Sequence, residues 1–542
     1  NEAAHGCFEQ ALKINPQHFN ALIYRGIMLE LLDRPPDALD SYNAALALQP
    51  EHPDVLFNRS STLMSLGRYG EVIADCDKIL KANPHYRYAC GMRLYARLHA
   101  CDWNNHDSEI GQAMEAQQAG YPVLQPLQAV AMLTSGKDLL ESSRIWVAQQ
   151  FPPPAQPLWR SEIYRHGRIR VAYVSADFGE HPVMTLAAGV FERHDRGEFE
   201  LTAISTRPHR NGPMRQRLQD AFDRFLDLSN HSGGEIAKVI RDLEIDIVVD
   251  LMGHTQGAPT SVFAQRAAPV QVEWLGFPGT SGAPYIDYII ADRIVIPDDQ
   301  ESCYSEKIAW LPNSCFPTDN KRALPQAPSR QDAGLPDSGF IFCNFGKPLK
   351  FAPDVFAVWM RLLKEIPDSI LWLAHCESET AGNLQRSAEV HGVDSGRICF
   401  APFLDSPDAH LARIGLADLY LDTFPYNAHA TACEFLWAGV PVLTLCGGGY
   451  AGRAGASILT AAGLGNLITH SLGDYEDRAL QLAKDAGELR SIKAMLARNH
   501  NRCPLFDTPR FTRNLERTYA ALWKRYQARD APRSFAVEDY GA

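Results

Sequence analysis

Three prolines at a fixed interval constrain this chain more than any other feature. Asn15-Pro16, Gln49-Pro50 and Asn83-Pro84 place proline at steps of 34 residues. In the unit that begins at Phe19, apolar and small residues fall at Leu22, Gly26, Leu29, Ala38, Tyr42 and Ala45. One period later the equivalents are Leu56, Ser60, Leu63, Val72, Cys76 and Ile79. Such a unit is a pair of helices: small residues let them approach, large ones fill the seam, and proline stops the second helix. A third, weaker unit starts near Arg87 and fades by Trp103.

The pattern is similar to the tetratricopeptide repeat, which makes residues 1–103 a helical superhelix. Its concave face is suited to a polypeptide; equally, the repeats serve to cap and rigidify the next domain. Residues 104–150 keep a helical composition but break the period, and Phe151-Pro-Pro-Pro-Ala-Gln-Pro157 reads as a stiff boundary. Residues 104–166 are therefore expected to hold atypical helical repeats and a Pro-rich linker. The chain opens at Asn1 rather than methionine, so the natural N-terminus is expected to be missing.

From Arg168 the rhythm changes. Short apolar, β-branched runs recur at Ile169–Val174, Phe199–Ile204, Ile245–Leu251, Val270–Leu275, Tyr288–Ala291 and Lys307–Leu311. A second series lies at Phe340–Cys343, Ile370–Ala374, Arg397–Phe400, Leu419–Asp422, Val442–Leu445 and Asn466–Ile468. Helical stretches fall between them, and that alternation argues for parallel, doubly wound α/β sheets. Two Rossmann-like lobes are expected, over 167–325 and 338–507, joined through the Pro-, Asn- and Asp-rich stretch 312–337. Thr508-Pro509 then starts a helix with Phe511, Leu515, Tyr519, Leu522 and Tyr526 on one stripe, so 508–530 is expected to brace the lobes.

Several function classes lose ground. Neither lobe carries Gly-x-Gly-x-x-Gly, and no Walker-type Gly-Lys-Ser/Thr is present, which disfavours hydride transfer and P-loop chemistry. A net charge of −12 argues against a nucleic-acid surface. Twelve scattered cysteines without a Cys-x-x-Cys pair fit a reducing, cytoplasmic setting. No apolar run approaches the ~20 residues of a membrane span, so no membrane partner is expected.

Open α/β sheets bind ligands at the carboxyl ends of their strands, and the candidate residues collect there. Ser175-Ala-Asp-Phe-Gly-Glu-His181-Pro182 holds a histidine between glycine and proline, placed for acid–base or hydrogen-bond work. Asp250-Leu-Met-Gly-His254 and Leu275-Gly-Phe-Pro-Gly279-Thr280-Ser-Gly282 end neighbouring strands; the glycines permit close backbone approach to a ligand. Cys343-Asn344-Phe-Gly-Lys-Pro-Leu-Lys350 offers a cation for a diphosphate. Asp422-Thr-Phe-Pro-Tyr-Asn-Ala-His429-Ala430-Thr431-Ala-Cys-Glu434 runs from a strand end into a helix N-terminus, an anion site by its free N–H groups and dipole. His429 and Thr431 add donors, and Glu434 is placed to accept from ribose hydroxyls. Each segment also has a plain structural use as a turn or cap.

Taken together, these segments resemble the O-linked N-acetylglucosamine transferases, including the plant SPINDLY group. The resemblance covers nearly the whole chain and rests on Arg170–Pro182, Trp274–Gly282, Tyr304-Ser-Glu-Lys307 and the Asp422–Pro441 block. It implies repeats followed by a glycosyltransferase-B fold, as in a bacterial homologue. It implies inverting transfer of N-acetylglucosamine from the UDP-sugar, a substrate rather than a cofactor, to Ser or Thr hydroxyls of polypeptides.

By that resemblance His181 lies beside acceptor and sugar and Lys350 stabilises the diphosphate. Pro182 and His254 fall near sugar or acceptor. His429, Ala430, Thr431 and Glu434 hold diphosphate and ribose, and His410 and Arg413 lie near the base. Asn344, Gly279 and Thr280 complete the expected donor-binding set. The acceptor proton has three destinations: His181, a water chain, or the donor's own phosphate. Metal-dependent transferases usually show Asp-x-Asp on a loop; the run here, Asp75-Cys-Asp77, lies in a repeat helix, so no metal is expected.

The sequence departs from the animal enzymes at Lys347, Pro407, Ala430, Glu434 and His254. These departures keep a GDP-fucose donor open as an alternative. A repeat adaptor with silent transferase lobes is the alternative from another class.

Overall fold

The computed structural model describes residues 2–500 and 502–541. Contacts group the chain into two units, and their composition in sequence is not simple.

The first unit runs to Gln128 and includes two remote segments, 347–353 and 376–390. Its α-helices are Glu2–Ile14, Phe19–Leu31, Pro35–Leu48, Pro53–Ser65, Tyr69–Ala82, Ala89–Ala100 and His106–Gln118, with Ser378–Val390 from the second remote segment. The period explains the packing: a Cβ at Gly26 would overlap the ring of Tyr42, which is itself fully buried. The third pair persists through Gln118, past Trp103 where the sequence period fades. Trp103 Nε1 donates to the Phe351 carbonyl at 3.1 Å, Thr380 Oγ1 to His99 O at 3.0 Å, and Asn383 Nδ2 to Ala100 O at 2.8 Å.

A polar rung repeats with the same 34-residue step. Arg25 donates to Glu9 (3.3 Å) and Ser41 (2.9 Å). Arg59 donates to Asn43 (2.8 Å) and, through two nitrogens, to Asp75 (2.7 and 2.6 Å). Arg93 pairs with Asp77 (2.8 Å) and Glu109 (3.4 Å). Asp75 and Asp77, the chain's Asp-x-Asp run, are thus each committed to an arginine, forks that suit carboxylates.

The second unit comprises Ala129–Gly346, Asp354–His375 and the chain from His391 onward. It contains β1 (Ile169–Ser175), β2 (Phe199–Ser205), β3 (Arg224–Asp227), β4 (Ile247–Asp250), β5 (Val270–Glu273), β6 (Tyr288–Asp292) and β7 (Lys307–Leu311). The second series is β8 (Ile341–Asn344), β9 (Ile370–Leu373), β10 (Ile398–Phe400), β11 (Leu419–Leu421), β12 (Val442–Leu445) and β13 (Ile468–Thr469), and β14 (Phe535–Ala536) closes the chain. One sheet has the order β14-β7-β6-β5-β4-β1-β2-β3, the other β10-β9-β8-β11-β12-β13. Every pairing described is parallel. Strand order reverses between β1 and β4 in the first sheet and between β8 and β11 in the second, and ligands of such sheets bind at these switch points.

Two strands are absent from the sequence-based expectation, β3 and β14. Arg-Phe-Leu-Asp at a sheet edge carries too little apolar signal, and two residues are below any periodicity.

The helix Thr508–Gln527 packs on the first sheet through a buried cluster. Tyr173 OH bonds Tyr519 OH at 3.0 Å and His194 Nε2 at 2.9 Å, and His194 Nδ1 lies 3.2 Å from Glu516. The turn Pro504–Phe506 just before it sets Phe506 against Trp437 of the second lobe. Between the lobes, Asp292 Oδ2 accepts from Ser457 Oγ (2.7 Å) and from Cys315 N (2.9 Å). Among the described residues no helix is long and apolar enough to cross a membrane.

Candidate active site

The switch point of the first sheet places two histidines at strand ends. β1 leads to His181, which is the N-cap of the helix Pro182–Arg193, with Pro182 exposed at its first turn. His181 Nδ1 lies 3.3 Å from Val183 N and 3.4 Å from Asp177 Oδ2. A bare Nδ1 accepts from Val183; a protonated Nδ1 serves Asp177 and makes Nε2 the ring's proton acceptor.

β4 leads to Asp250 and His254. His254 Nε2 is 2.6 Å from the Ser281 carbonyl, which only accepts, so Nε2 carries the proton. Its Nδ1 is then an acceptor, buried and without a hydrogen-bond partner among the described residues. Burial pushes the His254 pKa down to about 4, so the ring is neutral at pH 7.

The loop Leu275–Gly282 is held from beneath rather than open. Thr280 Oγ1 donates to Glu306 (2.7 Å), and Ser281 donates to the same carboxylate through N (2.6 Å) and Oγ. Gly279 packs on the Phe277 ring, and Thr280 is 2% exposed. Gly279 and Thr280, expected to bind the donor, lie in this loop.

Below it sits Glu273, 1% exposed and beside the Glu306 carboxylate. Burial, then the Glu306 and Asp250 charges, push its pKa well up. The folded state therefore keeps a proton that the unfolded chain releases above its ordinary value of 4.5, so this group lowers stability as pH rises. Glu273→Gln is expected to stabilise the protein by about 1–3 kcal/mol at pH 8 and by nearly nothing near pH 4. Thermal melting of both proteins across that range checks this; a difference that does not change with pH refutes it.

The switch point of the second sheet gathers the other residues. Asn344 ends β8 fully buried; its Nδ2 donates to Leu421 O on β11 (2.7 Å), and its Oδ1 accepts from Gly346 N (2.7 Å). Expected among the donor-binding residues, it spends both ends of its amide tying the strand ends together.

The ring of Phe345 lies 5.6 Å from His410, 5.6 Å from Phe435 and 5.1 Å from the Arg413 guanidinium. Arg413 Nη2 donates to His410 Nδ1 at 2.9 Å, so His410 Nε2 carries that ring's proton. Burial, with the Arg413 and Arg322 charges, pushes the His410 pKa down to about 4.

β11 leads into a pinned turn. Asp422 Oδ1 accepts from Thr423 N (2.8 Å) and Ala428 N (2.7 Å), and Oδ2 from Thr444 Oγ1 (2.7 Å). Asn427 Nδ2 donates to Thr423 O at 2.7 Å. The turn delivers His429 as the N-cap of the helix Ala430–Trp437, which ends before Gly439 at φ +79°. His429 lies 5.4 Å, ring to ring, from both Phe316 and Tyr426. Ala430, Thr431 and Glu434 are all partly exposed on this helix, around its first turn.

The helix capped by His181 and the helix capped by His429 touch. Lys350 ends the turn Pro348–Lys350, within the segment that packs in the repeat unit. Two contributors carry no sequence signal: Phe316 and Arg322 lie in the irregular crossing segment, where no period marks a residue.

Residues 154–329 and 323–515 match the family described as Glycosyl transferase family 41, and residues 1–53 and 32–87 match the tetratricopeptide repeat. The chain is 37% identical over 434 residues to the probable UDP-N-acetylglucosamine–peptide N-acetylglucosaminyltransferase SEC of Arabidopsis thaliana, covering 77% of this chain and 44% of that protein. It is 24% identical over 555 residues to the UDP-N-acetylglucosamine–peptide N-acetylglucosaminyltransferase of Caenorhabditis elegans, covering 79% and 48%. The chain thus spans about half the length of these relatives. A solved mutant O-GlcNAc transferase of Thermobaculum terrenum superposes with a TM-score of 0.74 at 27% identity, over 97% of this chain and 95% of that one. The fold is thus repeats followed by a glycosyltransferase-B-like pair of lobes.

Proposed function

The chain belongs to glycosyl transferase family 41, and on that premise we propose that it moves N-acetylglucosamine from UDP-N-acetylglucosamine to Ser or Thr hydroxyls of a polypeptide. The observation that carries this is the contact between the His181-capped and His429-capped helices, each of which follows a strand bordering its sheet's switch point. A glycosyl donor needs that pairing: an anion site for its diphosphate and a proton acceptor near its anomeric carbon.

The acceptor oxygen attacks the anomeric carbon in line, and the bond to the diphosphate oxygen breaks with its electron pair leaving on UDP. The N–H groups of the helix Ala430–Trp437 offer a positive dipole end for the charge that develops there, and the family resemblance gives Lys350 a role in stabilising it. His181 takes the acceptor proton when Nδ1–H is held by Asp177, 3.4 Å away. His410 and Arg413 lie toward the base, and Glu434 toward the ribose. Both aspartates of the Asp-x-Asp run serve the arginine rungs, which supports metal-independent transfer. Polypeptides are proposed to be presented by the repeats, and the chain to work in the cytoplasm.

Calorimetric titration with UDP, UDP-N-acetylglucosamine and GDP-fucose, without added metal, tests this. Binding of the uridine series is expected. Selective binding of GDP-fucose would move the assignment to fucosyl transfer on the same scaffold, and binding of none in a folded sample would leave the repeats as the functional part.

A further inference from the structure

Arg322 stands beside the donor residues although no strand, helix or motif carries it. Its Nη2 donates to Glu434 Oε1 at 3.2 Å, and the two side chains are 18% and 20% exposed. Its charge also bears on His410, so the guanidinium serves both the helix Pro407–Ile414 and the helix Ala430–Trp437. Burial pushes the Glu434 pKa up, and the Arg322 charge and hydrogen bond pull it back down. An ionised carboxylate offers two accepting oxygens, whereas a protonated one spends part of that capacity on its own O–H.

We propose that Arg322 is the positioning residue that holds the Glu434 carboxylate as the acceptor for the donor's ribose hydroxyls, and thereby sets a preference for ribonucleotides over 2′-deoxyribonucleotides. This rests on the reading of the chain as a nucleotide-sugar transferase. Glutamate has a longer, freer side chain than aspartate, and pinning one oxygen removes much of that freedom before the ligand arrives. With Oε1 on Arg322, Oε2 remains for the sugar. Without Arg322, the partly buried carboxyl loses the cation that opposes its protonation, and the directed acceptor is lost.

The test measures affinities of the full chain for UDP and 2′-deoxy-UDP, and for GDP and 2′-deoxy-GDP, by calorimetry. The wild type is expected to prefer the ribonucleotide by about tenfold or more, the size of a hydrogen bond to a charged group. Arg322→Ala should shrink that ratio to about twofold or less while affinity for the deoxynucleotide stays near wild type. Arg322→Lys, which keeps a cation, should retain most of the preference. Glu434→Gln should remove it alone, and adding Arg322→Ala should change nothing further, since the two act as one unit.

A ratio that survives Arg322→Ala in a protein with unchanged melting overturns the proposal. So does a double variant whose losses simply add. The guanosine pair carries the same ratio if the chain binds GDP instead of UDP, so an error in donor identity and an error about Arg322 give different results. Absence of binding by the wild type to all four overturns both.

Discussion

Lys350→Ala is expected to lower turnover about 10²–10³-fold in a protein that stays folded. The leaving group of the proposed reaction is a diphosphate, and its charge grows as the glycosidic bond breaks. A fixed cation at that point acts on the transition state more than on the ground state, so the loss should appear mainly in kcat. The turn that carries Lys350 is anchored by buried Leu349 and by the Trp103 hydrogen bond to the Phe351 carbonyl, and the substitution removes neither. Turnover of UDP-N-acetylglucosamine with a peptide acceptor, alongside a melting curve, decides the matter. Turnover near wild type in the folded variant would remove Lys350 from the machinery.

Asp422→Ala should cost about 2–4 kcal/mol of stability and also weaken UDP binding. Three donors converge on this 1%-exposed carboxylate: Thr423 N, Ala428 N and Thr444 Oγ1. Removing it leaves all three buried without their acceptor, a larger penalty than one ordinary hydrogen bond. Two of the donors belong to the turn that aims the start of the helix Ala430–Trp437, so the anion site should loosen with it. Asp422→Asn keeps the shape and one accepting oxygen, and should fall between wild type and alanine in both measurements. Chemical denaturation and UDP calorimetry on the three proteins provide the check. An alanine variant as stable as wild type would show that the turn holds without Asp422.

The two functional predictions draw on different parts of the chain's legibility. Asp422 ends an apolar run and precedes a helix, so its place at a strand end could be read directly. Lys350 could be placed after a strand end in the same way, yet its segment packs with repeat helices, a grouping no local pattern announces. Asn344, Gly279 and Thr280 sit in the same motifs, where Asn344 ties two strand ends and Thr280 bonds Glu306. A motif says which residue types meet at a strand end; it does not say which of them face a ligand and which hold the loop.

What the sequence by itself determined is what short windows encode: the 34-residue helix pairs, the two series of strands, the strand-end positions of His181, His254 and His429, and Glu434 one turn into the helix that follows. Helical and strand periods express backbone geometry and are written within a few turns or residues of themselves. The tertiary structure alone decided the pairings between distant positions. Arg322 reaches Glu434 across 112 residues, Asn344 ties to Leu421 across 77, and Ser281 leans on Glu306 from a different strand end. Such contacts depend on how whole elements pack, and burial then sets whether a carboxylate such as Glu273 keeps its proton. No periodicity records those outcomes, because they are properties of the assembled core.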